Sequence, residues 1–91
     1  MYSNFTMNLA VELSKFNVWV NAVCPGRIDT ELSAELYRDR PELRRAQLKY
    51  IPLGRFGTPE DVARSVVFLA SEAAGFISGI TLVVSGGATS I

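Results

Sequence analysis

The segment Asn17–Thr30 constrains the fold of this chain more than any other part of the sequence. It begins with a run of mostly β-branched and apolar residues, Val18–Val23, which is typical of a strand buried on both faces of a parallel sheet. Pro25 and Gly26 follow this run. Because proline has no amide hydrogen and glycine has no side chain, we predict that the chain leaves the sheet at this point.

The residues just beyond the predicted strand form a candidate binding site. Ligands of open α/β proteins collect in the crevice beyond the carboxyl ends of the strands. Ile28 offers a backbone amide there and Thr30 offers a hydroxyl, so we predict that this loop holds a small polar group. Thr30 has a second interpretation, as the N-cap of a helix that begins at Glu31. The two roles can coexist.

Composition and charge exclude several classes of protein. Ninety-one residues make one small domain or a part of a larger one, and a chain this short hides its 48% of hydrophobic residues with difficulty. Nine basic and nine acidic residues cancel, so the chain has no basic footprint of a nucleic-acid binder. Its apolar runs are too short to cross a bilayer, and its first residues do not resemble a signal peptide. We therefore expect a cytoplasmic protein with no nucleic-acid or membrane partner.

The absence of histidine narrows the possible chemistry. Without histidine there is no Ser-His-Asp or Cys-His mechanism, and the commonest metal ligand is missing. Cys24 is the single cysteine, so we interpret it as a small buried hydrophobe at a strand end, with a reactive thiol as the alternative. Four carboxylates remain as conceivable metal ligands, namely Asp29, Glu31, Glu35 and Asp39. They look like ordinary surface charges, so we expect no metal site.

Hydrophobic periodicity predicts the remaining long elements. Apolar residues at four-residue spacing indicate a helix from about Tyr2 to Ser14, with a second apolar line on its other side. A helix that is apolar on two faces normally lies between packed layers. Thr58 is a strong N-cap candidate for a helix that ends near Ala74, and Ile80–Val84 is a second apolar strand.

Two short, weakly amphipathic helices are predicted between these elements, at Glu31–Arg38 and from Pro41 to about Tyr50. They form either a mobile lid over the strand end or a helical connection that only covers apolar surface. The predicted order is helix, strand, two lid helices, helix, strand, which makes a parallel, right-handed βαβ unit. Two parallel strands are too few for an isolated sheet, so we expect one edge of a wider doubly wound α/β sheet.

Four segments in the same order resemble the short-chain dehydrogenase/reductase family. The segment Asn21–Thr30, with the sequence Asn-Ala-Val-Cys-Pro-Gly-Arg-Ile-Asp-Thr, is similar to the Val-Asn-x-Val-x-Pro-Gly-x-Ile-x-Thr segment of that family. Phe5–Leu13, Pro52–Ala63 and Phe76–Gly87 resemble the helix before this segment, a later loop and helix start, and the last strand with its tail. The resemblance covers the back third of the family's fold. It implies that residues 1–91 are a single carboxy-terminal segment of a dinucleotide-binding, Rossmann-like domain, with residues 31–51 as substrate-lid helices.

The resemblance also implies a function and a set of cofactor-binding residues. Members of the family transfer hydride between NAD or NADP and an alcohol or carbonyl compound, and this chain is similar to 3-oxoacyl-carrier-protein reductases. By this resemblance, Pro25 and Gly26 shape the turn, and the backbone of Ile28 holds the nicotinamide carboxamide. The hydroxyl of Thr30 reaches the carboxamide or the neighbouring phosphate. Asn21 is expected to have a structural role and to tie the strand end to nearby loops.

No catalytic residue is predicted within these 91 residues. The family's phosphate-binding glycine turn, its serine and its Tyr-x-x-x-Lys element do not occur, and Tyr2 is followed four places later by Thr6 rather than by lysine. We therefore expect the chain alone to be inactive. We also expect it to associate with itself or with an amino-terminal segment. Members of the family build oligomer contacts from the helix that corresponds to Tyr2–Ser14 and from the last helix and strand. The alternative is a non-catalytic truncated product that acts only as an assembly module.

Overall fold

The computed structural model describes residues 4–88 and has the predicted α/β organisation. Helices and strands follow in the expected order, and their bounds are α1 Asn4–Leu13, β1 Ala22–Pro25, α2 Glu31–Tyr37, α3 Pro41–Leu48, α4 Pro59–Leu69 and β2 Thr81–Val84. Two single 3₁₀ turns, Ser14–Phe16 and Glu72–Ala74, follow α1 and α4. Among the described residues, every helix is too short or too polar to cross a bilayer.

The two strands lie side by side in parallel, as the sequence predicts. The register pairs Ala22 with Thr81 and Pro25 with Val84. The backbone N–H of Gly26 donates to the carbonyl of Val84 at 2.9 Å and closes the ladder at the carboxyl end. Helix α4 packs on both strands. The chain therefore leaves the sheet at Pro25 and Gly26, where the prediction put the end of the strand.

Strand β1 begins at Ala22, so the predicted start at Val18 is wrong. Val18 and Trp19 are exposed, and the chain reaches β1 from Asn17, whose φ of 59° is left-handed. The backbone at Val20 bonds to the loop that precedes β2, because its N–H donates to the Ser78 hydroxyl and its carbonyl accepts from Gly79. The apolar run from residue 18 is thus real, but no described strand pairs with its first part.

Helix α1 buries one face and exposes the other. Thr6 and Ala10 are buried, and a Cβ added at Gly79 would lie 3.5 Å from the Cβ of Ala10. Phe5 and Val11 point away from the rest of the described chain, and Phe5 is 76% exposed. This agrees with the prediction of two apolar faces, of which the described residues cover only one. Tyr2, part of the predicted helix start, lies outside the described residues.

Helix α4 begins as predicted and ends earlier than predicted. Thr58 is the N-cap, since its side chain accepts the N–H of Asp61 at 3.1 Å and the Asp61 carboxylate accepts the N–H of Thr58 at 2.8 Å. The helix stops at Leu69 rather than near Ala74. The hydroxyl of Ser71 donates to the carbonyl of Phe68 at 2.6 Å, and this local bond competes with a further helical turn.

Helices α2 and α3 cover a small core beside the carboxyl ends of the strands. The core consists of Ile51, Phe56 and Ala88, and Tyr37 and Leu48 pack against it from the two helices. The rings of Tyr37 and Phe56 meet edge to face, with centroids 5.8 Å apart. Neither helix has a buried residue of its own. The predicted covering of apolar surface is therefore present, and the mobility of a lid stays a prediction.

Candidate functional site

The turn after β1 brings the ends of the two strands unusually close. A Cβ placed on Gly26 would lie 3.0 Å from both the Cα and the Cβ of Ser85, which follows β2. A side chain at this position would meet Ser85 more tightly than an ordinary contact, so Ser85 would have to move by a few tenths of an ångström, and glycine suits this close approach. Pro25 occupies the last position of β1 and is exposed. The chain thus leaves the sheet at these two residues, and their part in shaping a cofactor site stays a prediction.

Ile28 is fixed in place by a single parallel bridge to Gly57. The N–H of Gly57 donates to the carbonyl of Arg27 at 2.9 Å, and the N–H of Asp29 donates to the carbonyl of Gly57 at 2.8 Å. A Cβ on Gly57 would lie 2.7 Å from Cδ1 of Ile28, a contact that the flexible end of the isoleucine side chain can relieve by moving. The bridge holds the loop without using the polar backbone groups of Ile28 itself.

The backbone of Ile28 presents an unused donor and an unused acceptor. Its neighbours face Gly57, and because successive residues of an extended chain alternate, the N–H and C=O of Ile28 point to the opposite side. Within residues 4–88 neither group has a hydrogen-bond partner. A primary amide offers one carbonyl acceptor and two N–H donors, which is the complement of this pair. The loop can therefore bind a carboxamide with two hydrogen bonds.

Thr30 lies two residues further on and is the N-cap of α2. Its hydroxyl accepts the N–H of Ser33 at 3.1 Å, while the Ser33 hydroxyl accepts the N–H of Thr30 at 2.8 Å, which completes a capping box. The capping interpretation is thus confirmed. The cap uses one lone pair of the Thr30 oxygen and leaves its O–H proton available as a donor. The side chain is exposed, so a ligand can reach it.

Two polar bridges join this loop to α3, and sequence reasoning missed both. Nε of Arg27 donates to Oε1 of Gln47 at 2.6 Å. Nη2 of Arg44 donates to both carboxylate oxygens of Asp29, at 2.9 and 3.0 Å. The one signal in the sequence is spacing. Arg27 and Asp29 are two residues apart in the loop, and Arg44 and Gln47 are three apart on the helix, so each pair can face one side. Asp29, predicted to be a surface charge, is therefore an anchor of the loop.

A second charged cluster lies at the start of α4. Arg55 donates to Oδ2 of Asp61 at 2.9 Å, and this hydrogen bond, followed by that from the Thr58 N–H, lowers the pKa of Asp61 from 3.8 to about 2. An open cavity of about 360 Å³ lies between this cluster and β2, and Arg55, Gly57 and Asp61 are among its lining residues. None of the four predicted cofactor residues lines it.

Asn21 and Cys24 have structural positions. The amide of Asn21 donates to the carbonyl of Ile77 at 3.0 Å and accepts the N–H of Ile80 at 3.2 Å, which ties the entry of β1 to the loop before β2 as predicted. Cys24 is half-buried in β1 opposite Val83, less buried than expected. Across residues 4–88, no three acidic, cysteine or histidine side chains gather as a metal site would require.

Comparisons with known proteins agree on one family. A family model described as Enoyl-(Acyl carrier protein) reductase matches residues 2–89. The 3-oxoacyl-(acyl-carrier-protein) reductase FabG of Aquifex aeolicus is 49% identical over 83 residues, which are 91% of this chain and 32% of that protein. The chain thus spans about a third of the length of the curated relatives it matches.

Two solved structures have the same fold over nearly the whole chain. The NADPH dependent reductase YwfH, involved in bacilysin biosynthesis, has a TM-score of 0.85 at 28% identity and is matched over 97% of this chain and 36% of its own. A putative 2-deoxy-d-gluconate 3-dehydrogenase from Agrobacterium tumefaciens with bound NADP has a TM-score of 0.82 at 41% identity, over 91% of this chain and 33% of its own.

Proposed function

This chain belongs to the family described as Enoyl-(Acyl carrier protein) reductase, among the short-chain dehydrogenases/reductases, and from that premise we propose that it is the carboxy-terminal part of an NAD(P)-dependent oxidoreductase. The complete enzyme interconverts an alcohol and a carbonyl compound by hydride transfer. This chain contributes the surface that holds the nicotinamide end of the cofactor. It supplies no catalytic acid or base, because its 91 residues hold no Tyr-x-x-x-Lys element.

The cofactor of the complete enzyme is NAD or NADP, in line with the two solved neighbours, one NADPH dependent and one with bound NADP. The observation that carries the proposal is the unused N–H and C=O pair of Ile28. A nicotinamide carboxamide fits this pair, and the Thr30 hydroxyl stands ready to donate to the carboxamide or to a phosphate oxygen. When bound, the cofactor supplies or accepts the hydride.

The residues of this chain orient the cofactor and do no bond chemistry. A carboxamide held at both its donor and its acceptor has a fixed rotation, so the attached ring presents one defined face to the substrate. Such positioning accelerates a reaction by removing rotational freedom before the chemical step. Residues 31–51 cover the substrate side of this loop and act as the lid. The substrate is a small alcohol or carbonyl compound.

The proposal also covers the assembly of the enzyme and its location in the cell. Association with an amino-terminal segment or with further copies of the chain is favoured by the exposed apolar faces of α1 and α4, including Val11 and Val67. A cytoplasmic location, expected from the sequence, belongs to the same proposal. The same exposed faces also favour the alternative, a non-catalytic assembly module. Under that alternative, no complex that contains the chain binds the cofactor.

The Thr30→Val substitution in the complete enzyme tests the cofactor role. Valine keeps the shape of threonine but removes the hydroxyl, so we expect cofactor binding to weaken by about two- to tenfold, the equivalent of one neutral hydrogen bond. Titration of NAD or NADP into both proteins measures this directly. Melting curves recorded in parallel report the loss of the cap.

Ser33→Ala is the matched control for the cap. It removes the reciprocal half of the capping box but leaves the Thr30 hydroxyl in place. We expect a lower melting temperature and an unchanged dissociation constant for the cofactor. If Thr30→Val also lowers only the melting temperature, Thr30 is a cap and does not bind the cofactor.

A further inference from the structure

The loop that carries Ile28 is clamped to α3 by arginines contributed from both sides. Arg27 and Asp29 are two residues apart in an extended segment, so their side chains leave on the same side. Arg44 and Gln47 are three residues apart on a helix and share a face. Each side thus gives one donor and one acceptor, and Ile28 lies between the two loop anchors.

We propose that Arg44 is a positioning residue of the cofactor site, because its pairing with Asp29 couples α3 to the loop that carries Ile28 and Thr30. The proposal rests on the proposed function, in which that loop holds the nicotinamide. It assigns to α3 a second role besides covering the substrate side. A displacement of α3 moves Asp29, and through Asp29 it changes the position of the adjacent Ile28 backbone.

The geometry of Arg44 is that of a fixed anchor. Both carboxylate oxygens of Asp29 accept from one guanidinium nitrogen, at 2.9 and 3.0 Å. The guanidinium carbon lies 4.4 Å from the ring centroid of Phe56, which is 4% exposed and belongs to the core. Stacking on a buried ring restricts the arginine, so less freedom is lost when the carboxylate is bound.

The ion pair between Arg44 and Asp29 is too exposed to add much to the stability of the whole fold, but it can still link the position of α3 to that of the loop. The side chains of Arg44 and Asp29 are 38% and 48% exposed, so water and salt screen their attraction. Helix α3 has no buried residue, and its Leu48 is the residue that packs on the core. A helix held by few contacts shifts readily when one of them is lost. Since coupling is reciprocal, a ligand that orders the loop also orders α3.

The test uses the complete enzyme with Arg44→Gln, and with Arg45→Gln as matched control. Arg45 is the next residue of the same helix, is exposed, and has no ion pair within residues 4–88. Hydrogen exchange of the α3 amides is measured with and without NAD or NADP, together with the cofactor dissociation constant. In the unmodified enzyme and in Arg45→Gln, we expect cofactor binding to slow exchange in α3.

In Arg44→Gln we expect cofactor binding to weaken by about two- to fivefold, the range of a partly exposed ion pair, and the slowing in α3 to disappear. Asp29→Asn should give the same result, and the double variant should show no further loss. If Arg44→Gln keeps the cofactor-dependent slowing, the coupling is wrong while the proposed function stands. If the unmodified enzyme binds neither NAD nor NADP, the proposed function is wrong and the coupling fails with it.

Discussion

Ile28 contributes to the proposed cofactor site through its backbone, so its side chain carries no sign of the chemistry. What marks the position is its surroundings, namely the Pro25–Gly26 turn before it and the bridge from Gly57 on one side. The turn could be predicted from residue type, because proline and glycine have fixed conformational consequences. The bridge could not, since Gly57 is 29 positions further along the chain and its role depends on close approach to Ile28.

The stability of the fold should depend on pH through Asp61. Its pKa is lowered to about 2, chiefly by the hydrogen bond from Arg55, so its carboxylate stabilises the fold above pH 3.8 and this contribution is lost as the pH falls through about 2. In the complete enzyme, Asp61→Asn should be less stable than the unmodified protein at neutral pH. The difference between their melting temperatures should narrow as the pH falls from about 4 towards 2.

Melting temperatures recorded from pH 7 downwards check this expectation. Arg55→Gln serves as the companion variant, because it removes the largest cause of the lowered pKa and should shrink the same pH-dependent difference. Parallel loss of stability by Asp61→Asn and the unmodified protein between pH 4 and 2 would show that the ion pair does not stabilise the fold.

At the scale of the elements, the order of helices and strands was predictable and several boundaries were not. The start of α4 was predictable because Thr58 and Asp61 satisfy helix-end amides by local bonds. The start of β1 was not, because the apolar run at residue 18 carries no information on whether a neighbouring strand pairs with it. The end of α4 depends on one side-chain bond of Ser71, which no periodicity reveals.

The contacts between α3 and the loop that carries Ile28 were equally hard to predict from the sequence. Asp29 and Arg44 look like unremarkable surface charges in the sequence, and only the fold brings them together across 15 positions. The amphipathic pattern and Pro41 predicted two short helices near the strand end, but not which of their residues face the loop. Such contacts between distant residues depend on how the elements pack, so they become visible only in the structure.

At the scale of the whole molecule, the chain leaves much apolar surface uncovered. The buried hydrophobic residues of the described part are Ala10, Ile51, Phe56, Ala74 and Ala88, and most of them are small. Large apolar side chains such as Phe5, Trp19 and Phe68 are exposed. Removing apolar surface from water is favourable by about 25 cal/mol for each Å², before the entropic cost of association is subtracted, so exposed surface of this kind favours association.

The isolated chain should therefore associate and should not turn over substrate. Sedimentation over a wide concentration range is expected to show oligomers or larger assemblies, because a two-stranded parallel sheet with open apolar faces is not self-sufficient. Assays with NADH or NADPH and carbonyl substrates are expected to show no turnover. A compact, stable monomer would contradict the first expectation, and measurable turnover would contradict the second.

The most direct test of the cofactor site compares two ligands on the complete enzyme. NAD or NADP carries the nicotinamide, whereas ADP-ribose, or its 2′-phosphate for an NADP enzyme, keeps the remainder of the molecule without it. Hydrogen exchange at the backbone amide of Ile28 is measured with each ligand at saturation. We expect the dinucleotide to slow this exchange and the truncated ligand to leave it unchanged. Equal exchange at Ile28 with both ligands would contradict the claim that this backbone holds the nicotinamide.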